Sequence, residues 1–174
     1  EDVLPYQRPP LSKKYLLGNM TKEQLLFRPE SYYLQLNIDL ILGKEVINID
    51  KDKKRIEMED GFNLSYDKLF LGTGSIPRKL PNQTARKIHD IYYVRSVKDI
   101  DLLSKKFVST KRLLIIGGGY IGLEMAAVAR NLGLEVSLIE AQDRILKRVA
   151  STKVADFFRD LHKKNGIHVK ENVR

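Results

Sequence analysis

The chain has 174 residues, 43% of them hydrophobic and 30% charged, with 31 Lys and Arg against 22 Asp and Glu for a formal charge of +9. That is the composition of a globular protein, and no apolar run reaches the roughly 20 residues that would span a bilayer. The absence of cysteine excludes disulfides, thiolate metal sites, a chain-bound iron–sulfur cluster and a dithiol relay within these residues.

In chain order, Pro5-Tyr6-Gln7-Arg8-Pro9-Pro10 is expected to be non-helical, since proline lacks an amide donor and displaces its predecessor from the α region. Leu11 to Leu17 predicts a short helix capped by Ser12 and ended by Gly18-Asn19, and Thr21 caps a turn over Lys22 to Leu26. Glu30 to Asn37 reads as a further helix that leads into a strand at Ile38 to Leu42. Glu45 to Asp50 and Arg55 to Glu59 alternate apolar and polar residues about the charged turn Lys51-Asp52-Lys53-Lys54, which predicts a hairpin. Asp60-Gly61 turns the chain again, and Leu69-Phe70-Leu71 predicts a short buried strand running into Gly72-Thr73-Gly74. The first part is thus expected to be a small antiparallel meander feeding a strand that ends at a glycine turn.

From Lys111 the grammar changes to alternating strands and helices. Leu113 to Ile116 predicts a buried strand, Ile121 to Leu132 a helix stopped by Gly133, and Glu135 to Glu140 a second strand. Ser151 to Lys164 predicts the next helix, Asn165-Gly166 its stop, and Ile167 to Val169 a third strand.

Between the first of these strands and its helix lies Gly117-Gly118-Gly119-Tyr120-Ile121-Gly122, a G-x-G-x-x-G turn. The first glycine permits a tight turn, the second lets the backbone approach a pyrophosphate, and the third allows close packing of helix on strand. The helix start adds amide donors and the positive end of a dipole. Glu140 closes the second strand at close to the interval of about 20 residues at which an acid meets the adenosine ribose. A dinucleotide is therefore expected on Gly117, Gly119, Tyr120, Ile121, Gly122 and Glu140. A carboxylate at the ribose favours NAD over NADP; Arg144 and Arg148 just beyond it read either as solvated loop residues or as phosphate contacts. The remaining basic residues are spread along the chain, so a solvated surface or an acidic protein partner is expected and nucleic acid is not. Three scattered histidines predict no metal site. No leader segment is visible and cysteine is absent, so a cytoplasmic location is expected.

The segments Leu4 to Lys13, Phe27-Arg28-Pro29-Glu30, Gly72 to Arg78, Tyr93-Val94-Arg95, Gly117 to Glu124 and Ala141 to Leu146 occur together and in this order. The set resembles the ferredoxin and rubredoxin reductases among the FAD-dependent pyridine nucleotide-disulfide oxidoreductases, along essentially the whole chain. The resemblance implies an α/β fold with two Rossmann-like nucleotide-binding domains, both incomplete: a partial FAD-binding domain over 1–110, carrying the meander, and a partial NAD-binding domain over 111–174. It implies that further segments of the family's fold precede Glu1 and follow Arg174, and that the fragment alone is inactive.

By the same resemblance, Arg8, Pro9, Lys13, Val46, Thr73, Gly74 and Arg95 match FAD-contacting positions, Val46 through its backbone or as ordinary strand packing. Lys13 and Glu124 match the family residues beside the flavin and are the candidate catalytic pair; an ion pair between them is expected. A cation there stabilises negative charge on the reduced ring. The implied reaction takes a hydride from NADH to flavin N5 and passes electrons singly to an iron–sulfur ferredoxin or rubredoxin, with FAD and NAD(H) as cofactors. The rival readings are an NADH-binding flavoprotein resembling apoptosis-inducing factor, which shares Pro-Pro-Leu-Ser-Lys, and a nucleotide-binding module without turnover.

Overall fold

The computed structural model describes residues 1–81, 88 and 90–173. They form two compact units, one of residues 1–7 and 23–76, the other of 8–22 and 77 onward.

The first unit is organised by an antiparallel meander of β1 (Val46–Asp50), β2 (Arg55–Met58) and β3 (Asn63–Ser65). Ile49 opposes Ile56, and Ile56 opposes Leu64, so the apolar residues share one face, as the alternation predicts. The charged turn closes through Lys53 N–H donating to Asp50 at 2.9 Å, with Lys54 at φ 46. A register shift between Val46 and Asn48 bulges the start of β1. Ahead of the meander in the chain come the short helices α1 (Lys22–Leu25) and α2 (Glu30–Gln35), with Arg28 stacked 5.3 Å from the centroid of Tyr32 in the second. Backbone bonds Gln7 N–H to Leu25 O and Phe27 N–H to Pro5 O, both 2.9 Å, fasten the N-terminal residues beside α1, where Tyr6 and Leu25 are buried.

Two expected strands of this unit do not form. Residues 38–42 follow α2 without joining a ladder, and residues 69–71 are likewise unpaired, with Phe70 92% exposed. Apolar character favours a strand only where a neighbour accepts its backbone hydrogen bonds and covers a face. Among the described residues neither segment has such a neighbour.

In the second unit, a 3-10 helix over Pro9–Ser12 corrects the reading of Pro9-Pro10 as non-helical. Its prolines occupy the first two helical positions, where a missing N–H costs nothing and a fixed φ helps. Ser12 therefore ends a helical turn rather than capping one, and residues 13–18 continue as turns. The sheet is parallel, in order β4 (Arg112–Ile116), β5 (Glu135–Ile139), β6 (Ile167–Lys170), crossed by α4 (Tyr120–Asn131) and α5 (Thr152–Lys164). Val136, Leu138, Ala126, Ala129 and Ala155 are completely buried, the alanines letting the helices lie close on the sheet. His162 on α5 sits inside this packing, its ring nitrogens 2.8 Å from Phe158 O and 3.1 Å from Leu123 O, which ties α5 to α4. The apolar run of β4 predicts burial throughout; instead the strand alternates, with Leu114 57% and Ile116 54% exposed on one face and Leu113 and Ile115 half-buried on the other, so among the described residues only one face is covered.

One element escapes the sequence reading altogether. α3 (Val97–Phe107) opens on a reciprocal capping box, Ser96 accepting from Asp99 N–H while Asp99 accepts from Ser96 N–H, and it buries Val97, Ile100, Leu103 and Phe107 at helical spacing. Ser96-x-x-Asp99 is the signal that announces it. The 3-10 turn at Pro9–Ser12 packs on α3 and α4, with Tyr15 Oη donating to Asp101 at 2.6 Å.

Candidate nucleotide-binding and electron-transfer site

The turn from β4 into α4 is tied to the end of β5 by Gly117 N–H donating to Ile139 O at 2.8 Å, and Gly117 sits at φ 110, a backbone state that side chains resist. Two further glycines of the turn, Gly122 and Gly118, are each required by a different neighbour. A Cβ on Gly122 would overlap Gly117 O, so the helix can start this close to the strand only with glycine there. A Cβ on Gly118 would stand 2.6 Å from Ile145 Cγ2; Ile145 is completely buried beneath the turn. At Gly119 the opposite holds: φ is −81, and a methyl group on its Cα would have nothing within 4 Å. The protein itself does not demand glycine at 119, whereas a pyrophosphate approaching the backbone would.

Glu140 follows β5 directly. Its Oε2 accepts Gly118 N–H at 2.7 Å and its Oε1 accepts Gln142 N–H at 2.8 Å. Each oxygen thus has one backbone donor and retains acceptor capacity for a ribose hydroxyl. A 2′-phosphate brought to the same place would meet a fixed carboxylate. The residues present fit an NAD-type dinucleotide. Tyr120 and Ile121, the first two residues of α4, are 56% and 51% exposed at the mouth of the turn.

Below the turn, residues 141–146 are held in a second layer. Leu146 N–H donates to Gly118 O at 2.9 Å, Ile145 N–H donates to Glu171 Oε1 at 2.8 Å, and Arg159 Nε bonds both oxygens of Glu171 at 3.0 and 2.9 Å. Glu171 holds the Arg159 guanidinium above its usual range, while a hydrogen bond from Lys147 holds the Asp143 carboxyl below its own. Arg144 directs its guanidinium to the carbonyls of Ile145 and Lys147 at 3.5 and 3.2 Å. Gly118 and Ile145 belong to the turn without having been singled out by the sequence pattern. The run of three glycines is a visible signal for the first; the seat of Ile145 beneath it has none.

On α4 the second cluster begins. Lys13 Nζ lies 2.8 Å from Glu124 Oε1, and Ser12 Oγ donates to Glu124 Oε2 at 2.6 Å. Glu124 is the fifth residue of α4, one place beyond the first turn. Lys13 also reaches Pro9 O at 3.4 Å, and Arg8 Nη1 donates to Arg95 O at 2.7 Å. Arg8, Pro9, Lys13, Arg95 and Glu124 all belong to the second unit. Val46, at the bulged start of β1, Thr73, and Gly74 at φ 68 belong to the first. Among the described residues, no cluster of three or more His, Asp or Glu is placed to hold a metal ion, and no helix is long and apolar enough to cross a membrane.

The profile of the pyridine nucleotide-disulphide oxidoreductase family matches residues 1–174. The chain belongs to that family. Among curated members, the rhodocoxin reductase of Rhodococcus erythropolis is 39% identical over 170 residues, 98% of this chain and 40% of that protein. The rubredoxin-NAD(+) reductase of Pseudomonas putida is 35% identical over 174 residues, 100% of this chain and 45% of its own length. Among solved structures, the putidaredoxin reductase in its covalent complex with putidaredoxin superposes with a TM-score of 0.93 at 37% identity, over 99% of this chain and 42% of that one. The NADH:rubredoxin oxidoreductase of Clostridium acetobutylicum superposes with a TM-score of 0.89 at 25% identity, over 100% and 45%. The chain therefore spans less than half the length of these oxidoreductases. The disulphide in the family name has no counterpart here, because the chain holds no cysteine.

Proposed function

We propose that the protein carrying this chain is an NADH-dependent ferredoxin or rubredoxin reductase that contains FAD. What most supports the reading is the Glu124 carboxylate, held by Ser12 and Lys13 on the helix that opens at the glycine turn. A lysine cation held there by a carboxylate suits a flavin that gathers negative charge on reduction, which nucleotide binding alone does not call for. The names of the relatives, which include reductases for putidaredoxin and rubredoxin, point the same way.

Within this reading, residues 111–174 belong to the NAD-binding domain and 1–110 to the FAD-binding domain. The glycine turn holds the pyrophosphate on backbone N–H groups, and Glu140 accepts the ribose hydroxyls and disfavours a 2′-phosphate. Arg8, Pro9, Val46, Thr73, Gly74 and Arg95 line the FAD, and Lys13 offers its cation where the reduced ring gathers negative charge. Bound FAD accepts two electrons from NADH and releases them one at a time. Glu124 balances the Lys13 charge before the ring is reduced. The formal charge of +9 suits encounter with an acidic iron–sulfur protein. A cytoplasmic location accords with the lack of cysteine.

The test is the absorption spectrum of the protein encoded by the whole reading frame, before and after anaerobic NADH. The expected result is a set of flavin bands that bleach with NADH and recover on adding oxidised ferredoxin or rubredoxin. A colourless protein that binds NADH would reduce it to a nucleotide-binding module. Bleached flavin that persists in air as a charge-transfer complex would favour a flavoprotein resembling apoptosis-inducing factor.

A further inference from the structure

Ser12 is 5% exposed, yet its hydroxyl reaches across to a carboxylate on α4, 112 residues away in the chain. Two adjacent residues of one turn, Ser12 and Lys13, each take one oxygen of Glu124. The two bonds differ in kind. The Lys13 and Glu124 side chains are 49% and 29% exposed, and an ion pair between long arms at such exposure adds little by itself because both arms must be immobilised. The serine hydroxyl is on a one-torsion side chain, fixed beside Leu11, which is 2% exposed. At 2.6 Å its O–H to carboxylate bond has the length of a strong charge-assisted one.

We propose that Ser12 is a positioning residue: its hydroxyl holds one Glu124 oxygen, so that Lys13 meets only the other and keeps donor capacity for a bound flavin. The inference rests on the reading of Lys13 and Glu124 as a flavin-side pair. An ammonium has three donors. One goes to Glu124 Oε1 and a second lies 3.4 Å from Pro9 O, which leaves a third for a ligand. Without the serine hydroxyl, Glu124 is free to turn both oxygens onto Lys13. That would draw the ammonium toward α4 and weaken its field at the ring.

The experiment is redox potentiometry of the FAD-loaded protein from the whole reading frame, with stopped-flow reduction by NADH. Ser12→Ala is expected to lower the flavin midpoint potential and slow flavin reduction roughly tenfold, with NADH affinity unchanged. Ser12→Thr, which keeps the hydroxyl, is expected to restore both. Should the added methyl of threonine lower the unfolding temperature, Ser12→Cys takes its place, a near-isostere with a weak donor and an expected potential between the wild type and Ser12→Ala. Lys13→Met is the control for the underlying reading. If Lys13→Met leaves the potential unmoved, the flavin-side reading fails and the proposal with it. If Lys13→Met lowers the potential while Ser12→Ala changes only the unfolding temperature, the reading stands and Ser12 is a structural residue. In the Lys13→Met background, Ser12→Ala is expected to lower the potential no further; a full additive drop would overturn action through Lys13.

Discussion

Two places in the chain carry the same written signal, an apolar run ending in a glycine turn: Leu69-Phe70-Leu71 before Gly72-Thr73-Gly74, and Leu113 to Ile116 before Gly117 to Gly122. The second becomes β4, pairs with β5 along its length and opens into a twelve-residue helix. The first remains unpaired, with Phe70 92% and Leu71 63% exposed. The apolar run states a demand for burial; whether it is met depends on residues far away in sequence that supply a ladder and a cover. For β4 those residues arrive about twenty positions later as β5 and its flanking helices. The contrast also separates glycines that serve the fold from those that serve a ligand.

The largest expected effect is at Gly122. A methyl there would overlap Gly117 O, backbone that cannot turn aside, so Gly122→Ala should cost at least about 3 kcal/mol of stability and abolish NADH binding. Gly119→Ala meets open space and should cost about 1 kcal/mol or less, the ordinary penalty for alanine at a helix start, yet weaken NADH binding tenfold or more. Denaturant unfolding and NADH titration of the two variants check the contrast. Equal losses of stability would show that the turn is one packing unit with no glycine reserved for the nucleotide.

Next in size is Glu140. Glu140→Gln replaces one oxygen with an amide nitrogen, a donor that accepts neither a backbone N–H nor a ribose hydroxyl. The preference for NADH over NADPH should fall roughly tenfold, read from the ratio of the two dissociation constants. Stability should fall as well, because one of the Gly118 and Gln142 amides loses its acceptor and the other keeps only a neutral one. An unchanged ratio would mean that the carboxylate serves only to brace the loop.

Most of the second unit's alternation is legible in the sequence because strand, glycine turn, helix and stop signals agree with one another there. Gly133 at φ 86 and Gly166 at φ 78 stop their helices where the sequence predicts. The meander is legible from its period of two and its charged turn. What is not legible depends on distant partners: the empty ladders beside 38–42 and 69–71, the open face of β4, the seat of Ile145 under Gly118, and the turning of Ser12 from cap to carboxylate donor. α3 is a different kind of omission, since its capping box stands in the sequence at Ser96 and Asp99. Ser96→Ala removes a hydroxyl that accepts from Asp99 N–H at 3.3 Å, and should cost about 1 kcal/mol by thermal unfolding.

The smallest expected effect lies in the first unit. Lys44 and Asp60 form an exposed ion pair at the edge of the meander, and the Lys44 hydrogen bond, with help from Phe62 N–H, holds the Asp60 carboxyl below its usual range. A carboxyl depressed in the folded state adds stability above its unfolded pKa, near 4, and loses it as the pH falls through the folded value. Lys44→Met should therefore lower the unfolding temperature slightly at pH 7 and not at all once Asp60 is protonated, so that the two curves converge in acid. High salt should mimic the substitution, because a pair this exposed is readily screened. In the second unit, Arg159 and Glu171 are only 20% and 17% exposed, and Glu171 also accepts Ile145 N–H. Removing Arg159 leaves the Glu171 carboxylate without its cation beneath the nucleotide turn, so that loss should resist mimicry by salt. If both pairs responded to salt alike, the layer under the glycine turn would be no better sheltered than the surface of the meander.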